Sequence, residues 1–159
     1  MLWSAESCQV DQMALTTNED VVYICGYVAR QGGADLIAIE MIASYGMPVG
    51  REVFETCVWI GRFVQAACAL PCEYVYRKDV KLYLCGNARA KDSNVRQAII
   101  DRFGGKDKAI GRKKNPGPLH GVKGDLWAAL AVGLYVADSM EDNGIVFGGT
   151  ATVSTESQE

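Results

Sequence analysis

No apolar run in the sequence approaches the roughly 20 residues of a membrane span. The start, MLWSAESCQV, has neither the basic beginning nor the long apolar middle of a signal peptide. These absences exclude a membrane partner from the expectation and point to a cytosolic protein. There is one histidine, His120, and of the six cysteines only Cys68 and Cys72 stand close together. A zinc site would need a second close pair or suitably spaced histidines. The thiols at Cys25, Cys57, Cys68, Cys72 and Cys85 therefore read as reduced core residues. No glycine-rich phosphate loop follows the apolar strand that ends at Glu40, which argues against a nucleotide-binding enzyme. No internal repeat is present. The net charge of −3 creates no overall field that would attract nucleic acid.

What remains is the composition of an ordinary globular chain. Its 159 residues suffice for one domain with a packed core. Two short strands open it, in LWSAESCQVDQMAL. Asn18 can cap a helix with Glu19 and Asp20 in its first turn, and Gly32-Gly33 ends it. A continuous apolar run, Leu36 to Ile39, predicts a strand buried on both faces and ending in Glu40. Val49 to Ala69 predicts a long helix whose apolar stripe is wider than one core-facing side. CEYVYR is a further strand. KDVKLYLCG is a short helix, and KDSNVRQAIIDRFGG is another, capped by Asp92 or Ser93. The segment KDKAIGRKKNPGPLHGVKG reads as a basic loop without regular structure. DLWAALAVGLYVADSM is an apolar helix, and residues 141–159 read as a disordered tail. The order predicts an α/β fold with a mixed sheet flanked by helices, over residues 1–140.

Two acids interrupt strongly apolar elements. Glu40 ends a core strand, and Asp125 immediately precedes Leu126-Trp127-Ala128-Ala129-Leu130. Taken singly, Glu40 can be a solvated strand end and Asp125 a helix cap. Taken together they suggest a metal site, because strand ends and helix starts meet at one edge of an α/β sheet. Carboxylate oxygens suit Mg²⁺ or Mn²⁺. Two such ions roughly 4 Å apart can activate water and stabilise the leaving oxygen of a phosphodiester.

The strand ending AIE, the VK after the following strand, and DLWAALA on the last helix together resemble the RuvC-type Holliday junction resolvases of the ribonuclease H-like superfamily. IEMIASYGMPVGREVFETC, YRKDVK and GDLWAALAV resemble phage-type members most. The resemblance runs from about residue 1 to residue 138. It implies a ribonuclease H-like fold and a dimeric, Mg²⁺- or Mn²⁺-dependent endonuclease that cuts branched DNA in a bacterial or phage-infected cell. Glu40 matches the family's second acidic ligand and Asp125 its third, so both are the expected catalytic and metal-binding residues. Lys81 and Lys91 match DNA-contacting lysines, and Tyr45 is the nearest match to an aromatic wedge.

The chain departs from that pattern in two places. The family's fourth acid would lie three residues after the third, where this chain has Ala128. Asp92 or His120 are the candidates to compensate. The family also begins with a central strand carrying the first metal-binding aspartate, whereas Met1-Leu2-Trp3 matches the end of the second strand. The first central strand is therefore expected to be missing, with the true start upstream. Asp11 has no feature that brings it to the same cleft.

Basic residues supply the remaining expectations. Arg77, Lys78, Lys81, Arg89 and Lys91 can line a cleft rim. Lys113 and Lys114, in the basic loop, can reach a neighbouring duplex arm. The stripe on the Val49–Ala69 helix is the expected homodimer interface. Two other readings stay open: a catalytically impaired, branched-DNA-binding remnant of the same fold, and a non-enzymatic interaction domain.

Overall fold

The computed structural model describes residues 1–4, 7, 9–44 and 46–144. Strands β1 (Leu2–Ser4) and β2 (Gln9–Gln12) form an antiparallel pair with an irregular register between Leu2 and Trp3. Helix α1 (Asn18–Gln31) includes the residue expected to cap it. Thr17 is extended, and its hydroxyl accepts the Asp20 N–H at 3.2 Å, so Asn18 is already helical. Gly32 closes the helix in a left-handed conformation, φ +67°, which a side chain would strain.

Strand β3 (Ile37–Met41) pairs in parallel with β4 (Cys72–Tyr76), with Glu40 opposite Val75. The crossover between them carries α2 (Arg51–Ala66), shorter at both ends than the apolar pattern suggests. Helix α2 packs on α1 at the buried Gly26, where an added Cβ would lie 3.4 Å from the Ala66 carbonyl. Only one face of the β3–β4 pair is covered well. Every residue of β3 is half-buried, and Tyr74 and Tyr76 are exposed. The expectation of a strand buried on both faces is therefore corrected. Among the described residues the strands pair as three separate two-stranded ladders, not as one mixed sheet. The physical reason is local: β3 has a strand on one edge only, and no described strand bridges it to β1.

The core lies where α6 (Leu126–Asp142) meets β3, β4, α3 (Arg77–Cys85) and α4 (Asp92–Arg102). Leu130 of α6, Ile99 of α4 and Leu119 are fully buried there. The near absence of polar residues in the first turns of α6 follows from burial on several sides. Helix α6 reaches Asp142, and residues 145–159, most of the expected tail, lie outside the described residues.

The basic segment is more ordered than its composition suggests. It contains a one-turn helix, α5 (Lys106–Ala109), and a hairpin of β5 (Gly111–Arg112) and β6 (Asn115–Pro116). Gly117 makes this possible: a Cβ there would fall 2.1 Å from the Lys108 carbonyl oxygen. Leu119 then anchors the segment in the core, with its N–H donating to the Ala109 carbonyl at 2.8 Å. Lys113 and Lys114 form the exposed turn of the hairpin.

Candidate functional site

Strand alternation decides where Glu40 goes. Ala38 and Glu40 share one face of β3, and Ala38 packs against the core cluster that α6 dominates. Strand β4 runs directly into α3, with Tyr76 as its extended N-cap, so Arg77 is the first helical residue. Lys81 follows one helical turn later, on the same side. Helix α4 begins at Asp92, and the first turn of α6 brings Asp125 and Ala128. These residues line one cavity of about 130 Å³, together with Val80, Trp127 and neighbouring apolar side chains.

The polar contacts form a chain. Arg77 Nη1 donates to Glu40 Oε1 at 2.8 Å, and Arg77 Nη2 pairs with Asp92 Oδ2 at 2.7 Å. Lys81 Nζ lies 3.1 Å from Asp92 Oδ1. Both oxygens of Asp92 are thus engaged, whereas among the described residues only one oxygen of Glu40 is. The two cations, Arg77 first and Lys81 second, hold the Asp92 carboxyl below the usual carboxylate range. Asp92 and Glu40 in turn raise Arg77 further above its already high value. All these groups are partly exposed, so each pair contributes no more than about 1 kcal/mol to stability.

Asp125 behaves differently. It occupies the N-cap position of α6 but makes no side-chain capping bond, and its φ and ψ of −67° and −14° are helical rather than extended. Only its carbonyl serves the helix, accepting the Ala128 N–H at 3.0 Å and the Ala129 N–H at 3.2 Å. The simple cap reading of this residue is therefore not realised. Its carboxylate has no hydrogen bond or ion pair among the described residues. Ala128, one turn further along, lines the cavity and offers no oxygen.

The remaining expected residues separate from this group. Lys91 is the N-cap of α4, next to Asp92 but outside the cavity lining. It also corrects the expectation that Asp92 or Ser93 caps α4; Asp92 is spent on Arg77 and Lys81 instead. His120 faces Ile110, with Nδ1 3.0 Å from its carbonyl oxygen, and does not reach the cavity. Asp11 is exposed on β2 and does not line the cavity either. Lys113 and Lys114 sit on the separate hairpin, and Tyr45 lies outside the described residues. Two cavity features have little signal in the sequence. One is the direct pairing of Arg77 with Glu40. The other is Trp127, whose ring lies under the Arg96 guanidinium at 4.9 Å and whose buried indole N–H has no acceptor among the described residues. The only hint of Trp127 is its position two residues after Asp125.

The donor chemistry suits a hard divalent cation. Glu40, Asp92 and Asp125 all line the cavity, and Mg²⁺ commonly takes one or two carboxylates with water completing its shell. Among the described residues no three acids, histidines or cysteines are grouped closely enough to hold one ion. Of these acids, Asp125 is exposed and unpartnered and Glu40 has one oxygen without a hydrogen bond among the described residues, so these two are the ones free to take up an ion.

No family model matches the chain. No curated protein matches it. Among solved structures it is similar to Thermus thermophilus RuvC, with a TM-score of 0.53 and 20% identity, over 86% of this chain and 76% of that one. The fold is similar to that of RuvC. At this identity the likeness carries the architecture alone. No described helix is long and apolar enough to cross a membrane.

Proposed function

We propose that the chain is a metal-dependent endonuclease of RuvC type, with a ribonuclease H-like fold, that resolves Holliday junctions or other branched DNA by phosphodiester hydrolysis. The observation that carries this reading is that Glu40 and Asp125, far apart in sequence, line one cavity beside two cations. The fold likeness to RuvC supports it. Glu40 and Asp125 would hold Mg²⁺ or Mn²⁺. When bound, such an ion supplies an activated water and stabilises the leaving oxygen. Lys81 then serves as a cation at the cavity wall, placed to attract a backbone phosphate. Lys91, beside the cavity, and Lys113 and Lys114, on the hairpin, extend that positive surface to the duplex arms, with Tyr45 as an aromatic contact. These groups position DNA without reading its sequence.

A homodimer suits a four-way junction, which needs two symmetry-related cuts. Phe54 and Val58 support that part: they stand one turn apart on α2 and are each 64% exposed.

Two observations favour a second reading, a catalytically impaired junction-binding protein. Ala128 lines the cavity where a fourth acid would be expected, and Arg77 engages Glu40. Incubation of a synthetic four-way junction with the chain and Mg²⁺ or Mn²⁺, against Glu40→Gln, separates the readings. Metal-dependent cutting lost in the variant supports the nuclease. Binding without cutting supports the impaired form, and neither supports an interaction domain.

A further inference from the structure

Arg77 touches two acids with two different nitrogens. Nη1 reaches Glu40 at 2.8 Å and Nη2 reaches Asp92 at 2.7 Å. Asp92 is also held by Lys81 at 3.1 Å, so Asp92 retains a cation even without Arg77. Glu40 does not: Arg77 is its one charged partner among the described residues. All four residues line one cavity, so a divalent ion bound to Glu40 would sit beside the Arg77 guanidinium that now engages the same carboxylate. Two cations competing for one acid in a partly desolvated site repel each other.

We propose that Arg77 is an internal counter-ion that competes with the divalent cation for Glu40, so that metal loading opens the Arg77–Glu40 pair while Asp92 keeps Arg77 in the cavity. This rests on the metal-site reading of Glu40 and Asp125. It assigns Asp92 a positioning role: it tethers the displaced guanidinium instead of acting as a ligand. The freed Nη1 then adds an N–H donor and a positive charge to the cavity at the moment the cation arrives. The apo chain is left without an unpaired carboxylate on β3, and the site becomes most cationic when loaded. Arg77 thereby couples cation occupancy to attraction for a phosphate.

The test uses the full chain and Mn²⁺ itself, with free Mn²⁺ followed by its paramagnetic resonance signal. Arg77→Gln should bind Mn²⁺ about fivefold more tightly than the unmodified chain, the equivalent of one partly exposed ion pair removed. Arg77→Lys, which keeps the charge but loses the two-pronged fork, should fall between them. Glu40→Gln should bind at least tenfold more weakly. Unchanged or weaker binding by Arg77→Gln, with Glu40→Gln weakened as expected, overturns the role of Arg77 alone. Binding by Glu40→Gln equal to the unmodified chain overturns the metal site and this inference with it. Should Arg77→Gln fail to fold, the unmodified chain still decides. Titration with diamagnetic Mg²⁺ should shift the Arg77 Nε–Hε resonance with the midpoint of Mg²⁺ binding, and a resonance that does not move overturns the proposal.

Discussion

Glu40 of β3 and Asp125 at the head of α6 line the same cavity, although one comes from a half-buried strand and the other from the start of an apolar helix. Neither residue is explained by its local element. Glu40 takes up an inward-facing position on its strand, and Asp125 occupies a cap position without capping. Glu40 is half-buried and Asp125 is exposed, so both carboxylates stay within reach of water and of a dissolved ion. Arg77 uses one oxygen of Glu40; Asp125 is left open.

The hairpin lysines give the first prediction. Lys113 and Lys114 are fixed at the turn by β5, β6 and the close packing at Gly117, so they act as a presented pair and not as part of a floppy loop. Changing both to Gln should weaken junction binding and reduce the slope of log affinity against log salt by up to about 1.8, which is about 0.9 for each phosphate that is no longer neutralised. Filter binding across a salt series measures this. An unchanged slope would mean that the hairpin does not touch DNA.

Helix α2 gives the second. Phe54 and Val58 are large, apolar and mostly exposed, and they lie on one side of the helix. The unmodified chain should sediment as a dimer at micromolar concentration, and Phe54→Glu with Val58→Glu should sediment as a monomer with unchanged helix content. A monomeric unmodified chain would contradict the dimer.

A third prediction concerns stability and pH. Asp138 of α6 accepts from Arg102 Nη2 at 2.7 Å, is paired with Arg102 Nη1 as well, and accepts the Tyr83 hydroxyl at 2.5 Å. Arg102 holds the Asp138 carboxyl below the usual carboxylate range, with Tyr83 adding to the effect. A carboxylate that is easier to ionise in the fold contributes stability above the unfolded value of about 3.9, and that contribution is lost as pH falls through the lower folded value. Asp138→Asn should therefore cost about 1 kcal/mol near pH 7, a figure reduced for the partial exposure of Arg102. The difference between the two proteins should shrink as pH drops below about 4. Denaturant unfolding at several pH values checks this, and a difference that persists at low pH would contradict it.

The helices are legible in the sequence because their signals are local. Gly32, Gly86 and the apolar face of α6 mark boundaries that the structure reproduces within a few residues. The cap of α1 is Thr17 and not Asn18 because both residues can cap, and the backbone selects the extended one. The basic segment looks like an irregular loop because its ordering comes from tertiary anchors, the burial of Leu119 and the close approach at Gly117, that composition does not reveal. The covering of β3 is hidden for a related reason: an apolar run reports hydrophobicity, not which partner layer forms. At the site, the presence of Glu40 and Asp125 in one cavity lining follows from the edge where strand ends and helix starts converge. The pairing of Arg77 with Glu40 does not, because it depends on β4 entering α3 without a loop, which puts the first helical side chain beside β3.

Catalysis by the Glu40–Asp125 pair is the central claim, and junction cleavage tests it most directly. With Mg²⁺ or Mn²⁺ present, the unmodified chain should cut a synthetic four-way junction, and Glu40→Gln and Asp125→Asn should each bind it but cut on the order of a hundredfold more slowly. If either variant cuts as fast as the unmodified chain, the acids at 40 and 125 do not perform the chemistry and the proposed nuclease is wrong.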